Sequence, residues 1–306
     1  RSKGLESCFD RAEALDAQLE TLINDKDGQW IKWYETYSKS FTLSRTPLDI
    51  AKEFRGFMAR HKATWIFTSA TLSVANNFVH FSKSLGLSGA LSQSWDSPFD
   101  YPNQALFYHP KGLPQPSDPD FTDKIVEFAL PVLEASRGRA FFLFTSHRAL
   151  QRAAQLLEGK LDHPLLVQGT KSKGVLLDQF KELGNAVLLA TASFWEGVDV
   201  PGDALSVVVI TKLHFDVPSD PLIAARSELY EDPFNEYYLP ESILKFRQGF
   251  GRLIRSASDR GIVAIFDRRV LTKQYGRMFL NSLPQCTARQ GPAANLPKMA
   301  SQWLGT

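Results

Sequence analysis

The sequence predicts an α/β fold in which a parallel sheet is covered by helices on both faces. Three observations carry that prediction. From residue 121 onward, short apolar runs alternate with amphipathic helical stretches, the order that sandwiches a parallel sheet between two helical layers. The runs, among them Ala140-Phe141-Phe142-Leu143-Phe144 and Val187-Leu188-Leu189-Ala190, are continuously apolar, as strands buried on both faces must be. At 306 residues, 43% hydrophobic and 22% charged, the chain has an ordinary globular composition and is long enough for two domains with ample core.

Taken in order, Leu5, Phe9, Ala12, Leu15, Leu19 and Leu22 fall at helical spacing and predict an amphipathic helix over 5–23, stopped between Asn24 and Gly28. The aromatic-rich stretches 30–37 and 41–43 predict a hairpin or two edge strands. Thr46-Pro47 reads as an N-cap with proline at the first helical position, opening a helix that carries Ile50, Phe54, Phe57 and Met58. A strand is expected at 64–67, ending in the hydroxyl-rich Thr68-Ser69-Ala70-Thr71, and a helix at 76–85. Residues 86–119, rich in Ser, Gly, Pro and Asp, read as a linker with one short strand at 106–108. The regular part follows: helix 121–135, strand 140–144, helix 147–158, strand 165–168, helix 173–183 and strand 186–191. Strand 205–211, a proline-rich loop, helix 240–255, strand 261–266 and helix 269–281 complete it, and the tail from Pro292 shows no element. There is no internal repeat and no low-complexity tract.

Composition narrows the function classes. A net charge of +2 excludes a globally basic nucleic-acid coat, so a nucleic-acid surface must be local. Two distant cysteines, Cys8 and Cys286, predict a reducing, cytoplasmic setting and no metal site within the chain. No apolar run approaches the length of a membrane span and no signal-peptide pattern opens the chain. The first residue is Arg1, which suggests a piece of a longer protein.

Two stretches carry chemistry. In Gln248-Gly249-Phe250-Gly251-Arg252-Leu253-Ile254-Arg255-Ser256, two arginines three apart on a predicted helix aim two planar, permanently charged forks in one direction, as phosphate binding requires. Such a pair also serves surface ion pairs; Gly249 and Gly251, each costing about 1 kcal/mol relative to alanine within a helix, point instead to a close approach of something to the backbone. In Ser193-Phe194-Trp195-Glu196-Gly197-Val198-Asp199-Val200-Pro201-Gly202-Asp203, the glycines permit tight turns near a ligand, and Asp199 is able to accept from a ribose or an arginine. Thr145 and Ser146, Thr191, and Thr68 to Thr71 fall where strands end, the edge at which open parallel sheets bind ligands, and hydroxyls there serve either as phosphate ligands or as plain helix caps.

The segments FTSATLS (67–73), FFLFTSHRAL (141–150), SFWEGVDVPGDAL (193–205) and QGFGRLIRS (248–256) resemble motifs III, IV, V and VI of superfamily 2 DNA helicases. The resemblance is to the branch containing the DinG, YoaA and XPD-type enzymes, best to DinG/YoaA, and extends to SPFDY (97–101), VPSDPL (217–222) and YGRMFLNSLP (275–284). It implies a RecA-like second motor domain preceded by the end of the first, with boundaries at 1–75, 76–290 and a tail at 291–306. It implies that Gln248, Arg252 and Arg255 face ATP, with Arg255 the arginine finger. Glu196, Gly197 and Asp199 would lie between nucleotide and DNA strand. Thr145, Ser146 and Thr191 would touch the phosphates of single-stranded DNA, and Ser69 and Thr71 would couple the two sites. One departure is Leu213-His214-Phe215, where the family commonly reads Leu-Pro-Phe, and no role is carried over to that loop.

The chain contains no G-x-x-x-x-G-K-[ST] phosphate loop and no acidic Mg²⁺-binding motif, both of which hydrolysis needs. The expectation is therefore the C-terminal half of a 5'-to-3' ATP-dependent DNA helicase, inactive without the N-terminal motor domain that supplies the rest of the ATP and Mg²⁺ site. An iron-sulfur cluster in members of the family uses four cysteines upstream of this region, more than this chain holds. A rival reading is an interaction module that docks a replication or repair protein through the tail with Trp303 and Leu304 or through loop 98–119; some members of the family work with a clamp-loader subunit. Neither reading places the chain in a membrane.

Overall fold

The computed structural model describes residues 2–24, 28–69, 72–73, 77–191, Phe194, Val200 and 204–305. They fall into two compact units, one drawn from Arg1–Thr68, Phe78–Leu91 and Asp216–Tyr238, the other from Ser69–Asn77, Ser92–Phe215 and Leu239–Thr306.

In the first unit, α1 (Lys3–Asn24) forms as its apolar spacing predicts, yet none of its residues is buried. The strands β1 (Trp30–Thr36) and β2 (Phe41–Pro47) pair antiparallel, with Trp30 opposite Pro47 and Thr36 opposite Phe41. The Trp33 indole N–H donates to Thr46 Oγ1 at 3.1 Å, and the Arg45 guanidinium lies 3.8 Å from the centroid of the Trp30 ring. Thr46-Pro47 therefore ends the hairpin rather than opening a helix. The helix α2 (Ala51–Arg60) starts later, where Asp49 Oδ1 accepts from the Ala51 N–H at 2.8 Å. The helix α3 (Val79–Leu85) closes on Gly86 at φ 66°, where an added Cβ would lie 3.0 Å from Ala51 Cβ; glycine is the residue that tolerates both constraints.

The strand expected at 64–67 does not form. Its β-branched and aromatic composition satisfies propensity, but a strand also needs a ladder partner for its amides, and the segment pairs with no described strand. Its rings pack on α2 instead, with Trp65 5.7 Å from Phe57 and Phe67 6.0 Å from Phe54 between centroids. The proline-rich loop holds α8 (Pro221–Ser227), capped by Asp220, whose Oδ1 accepts from Leu222 and Ile223 N–H at 2.9 and 3.1 Å. One turn of π-helix spans Phe234–Tyr238.

The second unit is the predicted sheet. Its strands are β3 (Ala105–Lys111), β4 (Ala140–Phe144), β5 (Leu165–Val167), β6 (Val187–Thr191), β7 (Val207–Ile210), β8 (Gly261–Ile265) and β9 (Thr287–Pro292), in the spatial order β5-β6-β4-β7-β8-β3-β9. Every pairing is parallel. Alternate residues of one strand serve opposite faces. Phe141 and Leu143 join Val208, Ile210, Val263 and Ile265 in one core, packed by α7 (Lys173–Leu183) and α9 (Leu239–Phe250). Phe142 and Phe144 join Val207, Val209, Ile262 and Ala264 in the other, packed by α5 (Phe121–Ala135), α6 (His147–Leu157) and α12 (Leu296–Leu304). Burial of each such Val, Leu, Ile or Phe contributes roughly 1.5–3 kcal/mol, so the two cores together dominate the stability of the unit.

Three sequence expectations are corrected here. The stretch read as a linker supplies a one-turn helix, α4 (Tyr101–Gln104), and the whole of β3. The helix expected over 269–281 is two pieces, α10 (Arg269–Thr272) and α11 (Gly276–Asn281). They fold back so tightly that a Cβ on Gly276 would sit 2.0 Å from the Val270 carbonyl oxygen. The tail is ordered: β9 adds an edge strand, and α12 seals the core with Leu296 and Ala300, both fully buried. Trp303 and Leu304 pack against the same core, so they do not form an unstructured docking tail.

Candidate functional site

The motif-bearing stretch around Arg255 is a helix end. The helix α9 stops at Phe250, and the chain turns through Gly251 N–H to Arg247 O at 2.8 Å and Leu253 N–H to Phe250 O at 3.2 Å. Arg252 and Arg255 are therefore not on one helical face. They flank Leu253 and Ile254, 2% and 3% exposed, which enter the core beside α9 and fix the turn from within. Gly251 is not explained by a facing element, because a Cβ there would meet the Arg247 carbonyl of its own turn at 3.2 Å. The close approach falls on Gly261, where a Cβ would lie 2.3 Å from Leu253 Cδ1 and 2.8 Å from Ser206 O.

After the turn, Asp259 folds its carboxylate back over the chain. Its Oδ2 accepts from the N–H groups of Arg255 and Ser256 at 2.7 and 2.8 Å, and its Oδ1 from the Ser256 hydroxyl at 2.6 Å. From α4, the Gln104 amide donates to the carbonyls of Ser256 and Asp259, both at 2.9 Å. Gln248, half-buried, sits on the last turn of α9. Its neighbour Arg247 donates through Nη1 to the Ser73 carbonyl, tying α9 to the described end of the motif III segment, and burial lowers the Arg247 pKa from its usual value.

The strand ends carry the hydroxyls. Ser146 is the N-cap of α6, its Oγ accepting from the Ala149 N–H at 3.2 Å. Thr145 and Ser146 line a cavity of about 30 Å³ that also includes Thr211 and Lys212. The Lys212 ammonium donates to Pro116 O at 2.5 Å and stands 4.2 Å from the Phe121 ring centroid, and burial, then the charge of Arg269, lowers its pKa. Thr191 is 7% exposed, and both its N–H and its hydroxyl donate to Gln168 Oε1, at 2.6 and 3.1 Å. Ser69 is exposed. Glu196, Gly197, Asp199 and Thr71 lie outside the described residues. An open cleft of about 340 Å³ in the first unit, lined by Ala17, Gln18, Thr21, Leu22 and Arg45, has one charged side chain and no acid–base pair.

A buried ion pair closes the same edge of the sheet. Asp267, fully buried just after β8, accepts from Arg269 Nη2 at 2.6 Å and Nε at 3.0 Å and from the Leu213 N–H at 2.8 Å. Burial works against the Arg269 charge, but the hydrogen bonds and charge of Asp267 outweigh it and hold the Arg269 pKa above its ordinary value. The loop with His214 is thus pinned at Leu213. The Asp267 carbonyl faces His109 Nε2 at 3.1 Å, and burial, the largest influence on His109, lowers its pKa from the ordinary 6.5.

A base with a depressed folded pKa stays neutral when folded while the unfolded chain takes up its proton. His109 stability is therefore intact above about pH 6.5 and is lost as pH falls below it. Thermal unfolding of the wild type should lose more between pH 7.5 and 5.5 than that of His109→Gln, which keeps a donor for the Asp267 carbonyl but does not titrate, and parallel pH slopes would rule His109 out as the cause.

Asp259, Gln104, Arg247 and the Asp267–Arg269 pair were missed by sequence reasoning. Asp259 leaves a local signal, an Asp following Ser256 by three residues at a helix end. Gln104 acts across 152 residues, and no periodicity reports such a contact.

Residues 129–286 match the Helicase C-terminal domain family. The chain is 45% identical over 288 residues to the ATP-dependent DNA helicase YoaA of Escherichia coli (strain K12), covering 93% of this chain and 45% of that protein. It is 32% identical over 288 residues to the ATP-dependent helicase DinG of Mycobacterium tuberculosis (strain H37Rv), covering 90% and 43%. A solved XPD helicase superposes with a TM-score of 0.62 at 18% identity, over 86% of this chain and 48% of that one. Dbp5 of S. cerevisiae, bound to RNA and ADP BeF3, superposes at 0.51 and 14% identity, over 83% and 58%. Both structures share the RecA-like α/β fold. The chain spans about half the length of the curated relatives it matches, 45% in the case of YoaA.

Proposed function

The chain belongs to the Helicase C-terminal domain family, as a superfamily 2 region of the DinG/YoaA type, and on that premise we propose that it is the C-terminal motor half of an ATP-dependent 5'-to-3' DNA helicase. Its substrates are ATP and single-stranded DNA, and its obligatory partner is an N-terminal motor domain of the same protein. The observation that carries this reading is the two-arginine turn after α9, at which a DinG/YoaA-like motif VI coincides with a carboxylate that accepts from the Arg255 N–H and an amide that donates to the Ser256 carbonyl. Residues 1–75 complete the first motor domain, 76–290 form the second, and 291–306 close it.

In this reading Arg255 neutralises charge as it develops on the transferring phosphoryl group, and Arg252 and Gln248 orient the phosphates from the same side. Glu196, Gly197 and Asp199 lie between nucleotide and strand. Thr145, Ser146 and Thr191 follow the DNA backbone, which they contact without reading sequence. Ser69 and Thr71 report nucleotide state to that track, and the Arg247–Ser73 contact gives their segment a mechanical tie to α9. Among the described residues, no group of three or more His, Cys, Asp or Glu side chains is placed to hold a metal ion. The sequence has no acidic Mg²⁺-binding motif, so in this reading the N-terminal motor domain holds the Mg²⁺ that accompanies ATP, and no step here runs through it. Cys8 and Cys286 are likewise too few for a four-cysteine iron-sulfur site. Among the described residues no helix is long and apolar enough to cross a membrane.

Because the chain has no phosphate loop, the 306-residue chain alone should show no ATP turnover above background in the presence of single-stranded DNA. Steady turnover by a clean preparation, proportional to its concentration, would overturn the claim that half of the active site must come from elsewhere.

A further inference from the structure

We propose that Gln104 and Asp259 are positioning residues for Arg255, acting on its backbone rather than on substrate. This rests on the reading of Arg255 as the arginine finger. The two amides that bracket the Arg255 Cα, its own N–H and that of Ser256, both donate to one oxygen, Asp259 Oδ2, at 2.7 and 2.8 Å. One carboxylate oxygen therefore fixes both φ and ψ of Arg255, and with them the direction of its Cα–Cβ bond. Asp259 Oδ1 is occupied by the Ser256 hydroxyl at 2.6 Å, so the carboxylate cannot rotate freely.

Gln104 locks the turn from outside. Its amide nitrogen spends both hydrogens on the carbonyls of Ser256 and Asp259, the two ends of the turn, each at 2.9 Å. Gln104 is 6% exposed and Asp259 7%, so these bonds are not exchanged with water, and losing either partner strands buried polar groups. On the other side of Arg255, Leu253 and Ile254 are held by the core. The base of the Arg255 side chain is thus gripped from both directions. A group that works by charge placed on a developing transition state needs this kind of grip, because a displacement of about 1 Å costs up to roughly 100-fold in rate.

The test is the DNA-stimulated ATPase of the complete protein with Gln104→Met, Asp259→Ala and Asp259→Asn, each made with and without Arg255→Ala. Gln104→Met and Asp259→Ala should lower kcat about tenfold or more, with KM for ATP and affinity for single-stranded DNA within about twofold, the pattern of an interaction made only in the transition state. Asp259→Asn, which keeps an acceptor oxygen for the two amides, should retain most of the activity. Combined with Arg255→Ala, neither clamp variant should lower activity further, because both act through the same side chain. An inactive Arg255→Ala protein alongside clamp variants of full kcat overturns the proposal while leaving the arginine finger in place. A further tenfold loss in the combined variants, or a kcat loss matched by equal losses in DNA affinity and melting temperature, also overturns it. An active Arg255→Ala protein sinks the underlying reading of Arg255 instead.

Discussion

Arg255→Ala is expected to lower ATP turnover of the complete protein by about 10³-fold or more, the magnitude associated with an arginine finger, while leaving single-stranded DNA binding nearly unchanged. The asymmetry follows from where the side chain sits. Arg255 lies on the turn after α9, away from the Thr145, Ser146 and Thr191 strand ends assigned to DNA, so its removal takes away charge at the phosphoryl group and leaves the strand track intact. Its backbone bonds to Asp259 are made by the N–H groups of Arg255 and Ser256 and survive the substitution, so the turn should remain folded. Arg255→Lys keeps the charge but replaces a planar fork with a compact ammonium on a flexible stem, and should recover little of the lost rate. Arg252→Ala should be milder on kcat, because it is assigned to phosphate orientation in the ground state as well as the transition state. ATPase in the Arg255→Ala protein within a few-fold of wild type would show that the transition-state charge is neutralised by another residue.

The sequence reported the sheet well for a physical reason. Strands such as β4 and β6 are buried on both faces and must be apolar throughout, so composition alone marks them. The helices α5, α6 and α7 were legible because one stripe faces that sheet and the other faces water. What failed was information that is not local. The segment 64–67 has a strand's residues, but no described strand pairs with it. Helix α12 carried its signal in plain view, with Leu296, Met299, Ala300 and Trp303 at helical spacing behind Pro297, yet a chain end rich in small residues read as a tail.

The candidate site divides in the same way. Residue types named Arg252 and Arg255, because few roles other than anion binding need two forks beside glycines. Their geometry was misread, since Gly251 and the buried Leu253 and Ile254 end the helix that an R-x-x-R spacing suggests. The parts that hold Arg255 went unread: Asp259 leaves only its local spacing from Ser256 past the turn, and Gln104 arrives from a stretch that looked like a linker.

The largest expected effect on stability belongs to Arg269→Met. Asp267 is fully buried and takes hydrogen bonds from four donors: the Arg269 Nε and Nη2, the Arg269 N–H at 2.9 Å, and the Leu213 N–H at 2.8 Å. Removing the guanidinium leaves a buried carboxylate hydrogen-bonded by two backbone amides, with the Lys212 ammonium the remaining cation that feels its charge. Breaking a buried pair from one side costs about 3–5 kcal/mol, and the surviving amides place this case near 3. For a unit of this size that corresponds to a fall of roughly 6–12 °C in melting temperature. The side chain also lies over Phe215, 5.6 Å from the ring centroid, and methionine replaces that contact better than alanine would, so the loss reports charge more than packing. Arg269→Lys should lose less, because the charge stays while the bidentate fork goes. The decisive comparison is Arg269→Met with Asp267→Asn added, measured by thermal and denaturant unfolding of the chain. The amide removes the stranded charge and keeps one acceptor oxygen, which serves the Arg269 N–H or the Leu213 N–H but not both, so the double variant should recover part of the loss and be more stable than Arg269→Met alone, the reverse of what two independent destabilising substitutions would give. A double variant less stable than Arg269→Met would mean that Asp267 holds the edge of the sheet by its hydrogen bonds, with its pairing to Arg269 contributing little.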